Sequence, residues 1–380
     1  MHINYALVLC HADPSKDPRP YRVINWLKRL GYSVVCATSQ LNISMRDVKH
    51  VPLPKLPKKL VPRYYVPLSL VYKFLRRDLS VTDRRLGRKY SELFGKYNFE
   101  LVICFDLDLL IWPVSANSRS RLVFDAREYY PRQFEDRFLW KFVFGYYAHQ
   151  LCKQLLRFVD NGITVSPGLK EAYKRNYGFE TSVLLSLPDP AYLPVKRLQH
   201  GEKIRLIYHG NANPSRSIEL MVQMVQNLDH RFEMDFMVLP EKSSYVEMLK
   251  RLAGDDCRIR FIPPQKMTDI VKFIHGYDIG VFLVPPKNFN LKHCLPNKFF
   301  EYIQASLAVA IGPSPDMQSI VEREKIGLVS ESFDPLDLAE ALNRVELSDI
   351  NQWKQQSSRL ARKLNSEKNF VTFKTLIQST

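Results

Sequence analysis

The sequence predicts an α/β protein of two doubly wound, Rossmann-like lobes facing a cleft. Three observations predict it. Short apolar runs alternate with helical patterns, the alternation restarts after the midpoint, and a proline-rich break separates the halves. Runs with Val, Ile and Leu on both faces suit strands that are covered on both sides. Strand, helix, strand, repeated, implies a parallel sheet with right-handed crossovers.

In the first half the predicted strands are Tyr5–Cys10, Ser33–Thr38, Leu101–Phe105, Leu122–Asp125, Ile163–Val165 and Val183–Leu185. Helical patterns cover Tyr21–Leu30 and Leu169–Tyr177, the first stopped by Gly31. The segment 188–202 carries three prolines and a polar tail and reads as a linker. Beyond it, Ile204–Tyr208, Met234–Leu239, Arg260–Ile262, Ile279–Val284, Val309–Ile311 and Gly327–Val329 read as strands. Ile218–Leu228, Tyr245–Leu252, Met267–His275, Asn297–Ala305 and Leu336–Arg344 read as helices. The expected domains are 1–187 and 203–350. A polar helix over Asn351–Lys363 and an aromatic tail to residue 380 are expected to cross back onto the first lobe. Ligands of such sheets bind at the C-terminal ends of the strands.

A chain of 380 residues, 46% hydrophobic and 25% charged, has the balance of a folded protein with a real interior. Its net charge of +16 points to an anionic partner: nucleic acid, an anionic membrane or a phosphorylated small molecule. The six cysteines form no CxxC pair, which argues for reduced thiols and against zinc. The start shows no basic n-region and no cleavage site, and no apolar run reaches a membrane span. The expected location is the cytoplasm.

The most informative segment runs from Cys294 to Gly312. Pro296 and Asn297 open a helix, with Asn297 as the expected N-cap. A helix start offers free N–H groups and a partial positive charge to a phosphate, and Lys298 adds a full charge. Glu301, on the same face, can accept two hydrogen bonds from ribose hydroxyls. The alternative is an ordinary capped helix with a surface Lys–Glu pair.

A second segment, Tyr208-His-Gly-Asn-Ala-Asn-Pro-Ser-Arg216, leads from strand to helix. Gly210 allows close backbone approach, and Arg216 can fork onto a diphosphate; the alternative is a turn with a solvated arginine. A third, Asp125-Ala-Arg127-Glu128, follows a first-lobe strand and offers groups for sugar or phosphate, or an internal ion pair. The loop after the first strand carries His11, Asp13, Asp17 and Arg19 where an acceptor would arrive, with Asp13 and Asp17 as candidate bases. Lone histidines such as His11 are more often structural. Finally, positions 55–89 hold eleven cations, among them Arg76, Arg77, Arg84 and Arg85, interleaved with aromatic and apolar residues. That pattern suits an anionic membrane surface, nucleic acid or a solvated helix face.

These residues resemble GT-B fold glycosyltransferases, and within them the retaining family 4. The likeness spans nearly the whole chain and is strongest over Pro296-Asn-Lys-Phe-Phe-Glu-Tyr-Ile-Gln-Ala-Ser-Leu-Ala-Val309. The resemblance implies that Glu301 binds the donor ribose and Arg216 the diphosphate. It also implies departures. His293 stands where the family often has a first glutamate. Asn211 stands at the first basic position of the diphosphate loop, and Arg127 stands where a histidine often touches the donor sugar.

The expected activity is therefore transfer of a sugar from a UDP- or GDP-type nucleotide donor to a hydroxyl acceptor, with retention. The acceptor is expected to be a glycan or glycolipid, from a lipid-linked or surface-polysaccharide route. No cofactor and no metal are implied. The expected donor residues are Gly210, Asn211, Arg216, His293, Asn297, Lys298 and Glu301. Asp125, Arg127 and Glu128 are the expected catalytic set. Peripheral attachment to the inner face of the plasma membrane through 55–89 is a further expectation. The competing readings are an epimerase of the same fold, using Asp13, Asp125 and Glu128, and a non-enzymatic nucleic-acid or membrane binder; nucleic acid ranks last.

Overall fold

The structure is a computed structural model and describes residues 4–38, 45, 47–54, 67, 82–138 and 140–378. The chain divides into two compact units. The first comprises residues 1–185, 288–290 and 370–380, and the second 186–287 and 291–369.

The first unit is built on a seven-stranded parallel sheet in the order β3-β2-β1-β4-β5-β6-β7. Its strands are β1 (Tyr5–Cys10), β2 (Ser33–Thr38), β3 (Lys49–Pro52), β4 (Phe99–Cys104), β5 (Arg121–Ala126), β6 (Asn161–Thr164) and β7 (Thr181–Val183). Alternate residues bury on opposite faces, as the pleat demands. Leu7 and Leu9 join one cluster with Val102 and Phe124. Ala6, Val8 and Cys10 join another with Ile103 and Val123. The helix Pro18–Arg29 starts on Asp17, whose carboxylate accepts from the Arg19 N–H, with Pro18 at its first position. Strand β3 is absent from the predicted set because Lys-His-Val-Pro is half-exposed rather than apolar.

The second unit has a six-stranded parallel sheet, ordered β10-β9-β8-β11-β12-β13. Its strands are β8 (Ile204–Asn211), β9 (Phe232–Leu239), β10 (Ile259–Phe261), β11 (Ile279–Phe282), β12 (Ala308–Ile311) and β13 (Gly327–Val329). Strand β8 runs three residues beyond its predicted end, through Gly210 and Asn211.

The C-terminal segment differs from expectation. The helix Leu347–Ala361 stays with the second unit, where the Lys354 ammonium meets Asp278 at 2.6 Å in a buried ion pair. The return to the first unit comes later, in the helix Ser366–Gln378. There Phe373 and Ile377 bury in the first unit's core, with Phe373 5.3 Å from the Trp26 ring. Hydrophobic weight decides this, since Leu347–Ala361 offers polar residues and Phe370–Ile377 offers apolar ones. The segment read as a linker is also held. Leu198 exchanges two backbone hydrogen bonds with the Asn351 side chain, at 2.8 and 3.0 Å. Ser366 N–H donates to the Pro188 carbonyl.

Candidate functional site

In the second unit, β8 delivers Tyr208, His209 and Gly210 toward the start of the helix Asn297–Gln304. Gly210 sits at φ +129°, a region that favours glycine, and a Cβ there would lie 2.8 Å from the Lys298 Nζ. The glycine therefore makes room for the lysine. Lys298 Nζ lies 3.9 Å from the centre of the Tyr208 ring and 5.4 Å from that of Phe282. Among the described residues no carboxylate lies within 4 Å of it. Burial, and after it the nearby Arg216 charge, hold its pKa well below the usual lysine value. Among the described residues the ammonium has aromatic neighbours and no ion-pair contact, and Glu301 acts on it only electrostatically, offsetting part of that shift.

The helix start differs in detail from expectation. Pro296 is the N-cap and Asn297 the first helical residue, with no side-chain capping bond. Asn297 has helical dihedrals, so its amide does not fold back to cap. The first turn keeps its N–H groups uncapped by side chains, which suits an anion site better than a capped helix would.

One turn on, the Glu301 Oε2 lies 3.4 Å from the His209 Nε2, with the Glu301 side chain 12% exposed. Burial, and then the charge of Lys298, lower the His209 pKa to about 3. His209 is neutral at physiological pH, and its Nε2 has no hydrogen-bond partner. The contact is thus a carboxylate beside a neutral ring, not an ion pair. Lys298 and Glu301 do not form the surface pair that was the alternative reading. Arg216 closes the turn Pro214–Arg216, half-buried, and acts electrostatically on both Lys298 and Cys294. Asn211 is exposed at the strand end. His293 Nδ1 lies 3.0 Å from Asp316 Oδ2.

In the first unit, the ends of β1, β4 and β5 carry a charge network. Asp125 is fully buried, and both its oxygens accept from the Arg19 Nε, at 2.9 and 2.7 Å. Arg19 also donates to the Leu184 carbonyl at 2.7 Å. Asp125, expected as a catalytic contact with an internal arginine bridge as the alternative, and Arg19, expected in the acceptor loop, are joined in an internal ion pair. Arg127 bridges Asp17 and Asp106, the latter at 3.0 Å. Burial opposes its charge, but Tyr130, Asp106 and Asp17 outweigh that and hold the guanidinium protonated. Asp13 is buried and caps a turn through Ser15, and Asp17 caps the first helix, so neither serves as a ready base. The Glu128 carbonyl accepts from the Tyr173 hydroxyl. His11 Nε2 meets both Asp108 oxygens at 2.9 Å. Burial works against a charged ring there, but the Asp108 hydrogen bond and the charges of Asp108 and Asp106 raise its pKa.

Sequence reasoning passed over Asp106 and Asp108, although Asp-Leu-Asp directly after an apolar strand was a usable signal. His209 and Tyr208 stood inside a segment already singled out, and only their neighbours were chosen. Arg84 and Arg85 are exposed at the start of the helix Arg84–Phe94, whose other face buries Leu86, Tyr90 and Phe94. Arg76 and Arg77 lie outside the described residues. Among the described residues, no cluster of three His, Cys, Asp or Glu side chains could hold a metal ion, and no helix is long and apolar enough to cross a membrane.

No protein-family model matches the sequence, and no curated protein does. Solved structures do match along their whole length. HepE from Anabaena, solved in complex with UDP, is 12% identical, with a TM-score of 0.72 over 99% of this chain and 100% of that one. A glycosyltransferase from Rickettsia africae is 12% identical, with a TM-score of 0.72 and full coverage of both chains. Sucrose-phosphate synthase from Thermosynechococcus elongatus is 15% identical, with a TM-score of 0.70 over 99% of this chain and 98% of that one. At such identities the likeness is one of fold, and it is the fold that the two parallel sheets and the returning C-terminal helix display. The chain has the GT-B fold.

Proposed function

We propose that this chain is a glycosyltransferase that moves a sugar from a nucleotide-diphosphate donor to a hydroxyl acceptor. The observation that carries the reading is Lys298, a half-buried ammonium with no ion-pair contact among the described residues, at a helix start without a side-chain cap. Its Nζ sits against the room that Gly210 leaves, with Arg216 close enough to lower its pKa. In this reading the second unit binds the donor. Lys298, Arg216 and the helix start hold the diphosphate, Glu301 accepts from the ribose hydroxyls, and His293, steadied by Asp316, faces the sugar end. Negative charge grows on the leaving diphosphate as the glycosidic bond breaks, and fixed cations stabilise that charge without reorganising. The reaction needs no metal in this account, because the neutralising charges belong to the protein.

A UDP-type donor is favoured over GDP. HepE was solved with UDP and with UDP and glucose. The first unit takes the acceptor, a glycan or a glycolipid, with Arg127 at the position where the family resemblance implies a histidine. Retention follows from the family resemblance. The chain works at the cytoplasmic face of a membrane, with Arg84 and Arg85 of the basic stretch toward anionic lipid. The epimerase reading loses support, since Asp13 and Asp125 are buried and committed to other partners.

Calorimetric titration with UDP, GDP, CMP and dTDP, followed by the sugars of whichever binds, tests the proposal. One nucleotide diphosphate binding clearly above the others supports it, and no binding by any contradicts it. Proton NMR of the product's anomeric centre then reads retention or inversion.

A further inference from the structure

His209 lies in the interior of the second unit, with a side chain 5% exposed and an Nε2 that is buried without a hydrogen-bond partner. A buried polar atom left unbonded is costly, and folded proteins hold few of them. The residues before it on β8, Leu206, Ile207 and Tyr208, are fully buried, and an apolar side chain at 209 would pack there without that cost.

The imidazole is held in place by its neighbours. It packs edge-on against the Tyr302 ring, with centroids 5.3 Å apart and planes at 89°. Tyr302 is itself fixed. Its hydroxyl donates to the Val281 carbonyl at 3.3 Å, and a Cβ at Gly280 would come within 2.2 Å of its ring. In this seat the His209 Nε2 lies 3.4 Å from the Glu301 Oε2. Burial, and then the charge of Lys298, keep the imidazole neutral, so only one of its nitrogens carries a proton. A lone pair on Nε2 would meet the lone pairs of the carboxylate in a buried place that screens little. An N–H there is attracted instead. The arrangement selects the tautomer protonated on Nε2. At 3.4 Å the hydrogen bond is not closed in the free protein, and contacts of this kind tighten when a ligand draws the side chains together.

We infer that His209 is a positioning residue that donates from Nε2 to Glu301, fixes the plane of its carboxylate and so makes the site select ribonucleotides over 2′-deoxyribonucleotides. A carboxylate held in one plane offers its remaining lone pairs in fixed directions, so two neighbouring hydroxyls are met together. A sugar lacking one of them leaves a largely buried acceptor unpaired. The inference rests on the reading of this site as a nucleotide site, and His209 acts in it through Glu301.

Calorimetry on the full chain with UDP and with 2′-deoxy-UDP reads the preference as a ratio of two affinities. The wild type should favour UDP by about tenfold or more. Two variants separate the N–H from the ring. H209F keeps an aromatic ring against Tyr302 but loses the N–H, and its ratio should fall about fivefold or more. H209Q loses the ring but keeps an N–H at the reach of Nε2, and its ratio should stay within about twofold of wild type. A residue that served packing alone would give the reverse order. Nitrogen-15 NMR of the wild type without nucleotide should show Nε2 protonated and Nδ1 bare, and this result decides where thermal melts show that a variant does not fold. An unchanged ratio in H209F, or a proton on Nδ1 in the wild type, would overturn the inference while nucleotide binding stands. Binding of neither nucleotide by the wild type would overturn the reading of the site, and the inference with it.

Discussion

At the scale of single residues, the proposed donor site turns on Lys298, which has no ion-pair contact among the described residues. A diphosphate beside Lys298 raises the lysine's pKa. Binding should therefore take up a proton between the depressed pKa of the free protein and the higher one of the complex. Affinity should fall as pH rises through that window. Calorimetry in two buffers of different ionisation heat reads the uptake, and K298M should abolish it. Gly210 is the residue that makes this arrangement possible. G210A places a Cβ in a left-handed conformation and against Lys298 Nζ, so it should cost about 1–3 kcal/mol of stability, measured by denaturant unfolding, and weaken nucleotide binding as well. His209 adds a pH dependence of opposite origin. Its pKa falls from 6.5 to about 3 on folding. The unfolded chain binds the extra proton in that interval, so stability is present above pH 6.5 and is lost as pH falls toward 3. The ceiling is about 4–5 kcal/mol, from 1.36 kcal/mol per pH unit. H209Q should flatten the acid limb of a stability–pH profile.

At the scale of elements, the site helix is fixed at its far end by Gln304. Its amide donates to the Ala361 and Leu364 carbonyls, at 2.7 and 2.8 Å, and its oxygen accepts from the Ala191 N–H at 3.2 Å. Q304L strands these groups and should cost about 2–4 kcal/mol, since each buried unpaired group costs roughly 1–3 kcal/mol. Hydrogen exchange over 297–304 should rise first. The buried Arg19–Asp125 pair is the matching device in the first unit. D125N leaves an uncompensated guanidinium and should destabilise by about 3–5 kcal/mol in a denaturant titration.

The same elements show what was legible in the sequence. Runs such as Ala-Leu-Val-Leu-Cys in β1 announce a strand covered on both sides, and the sheets follow from them. Edge strand β3 carries no such signature, because an edge needs no apolar faces. The candidate donor segment could be singled out because Pro296 to Glu301 is local, with helix start, cation and carboxylate within two turns. The first-unit network was not, because Arg19 and Asp125 lie 106 residues apart and His11 and Asp108 lie 97 apart. Residue type left Asp125 open between a ligand contact and an internal arginine bridge, and its pairing with Arg19 shows it to be internal. The returning helix was misplaced for a related reason. Polar periodicity marked Asn351–Lys363, whereas the docking force lies in Phe370, Phe373 and Ile377.

At the scale of the whole molecule, a charge of +16 is spread over a protein whose fold is shared, at 12% identity, with HepE, solved with UDP, and with a glycosyltransferase from Rickettsia africae. Fold alone does not assign chemistry, so the weight rests on the donor constellation in the second unit. Part of the charge excess belongs to the helix Arg84–Phe94, and R84E/R85E should reduce binding to anionic vesicles and lessen its salt dependence, read by co-sedimentation. The central claim is that Lys298 and Glu301 grip a nucleotide diphosphate. Calorimetric titration of UDP into wild type, K298A and E301A tests it most directly. The account predicts measurable binding by the wild type and a loss of about tenfold or more in each variant, with folding intact by circular dichroism. Wild-type affinity in both variants would contradict it.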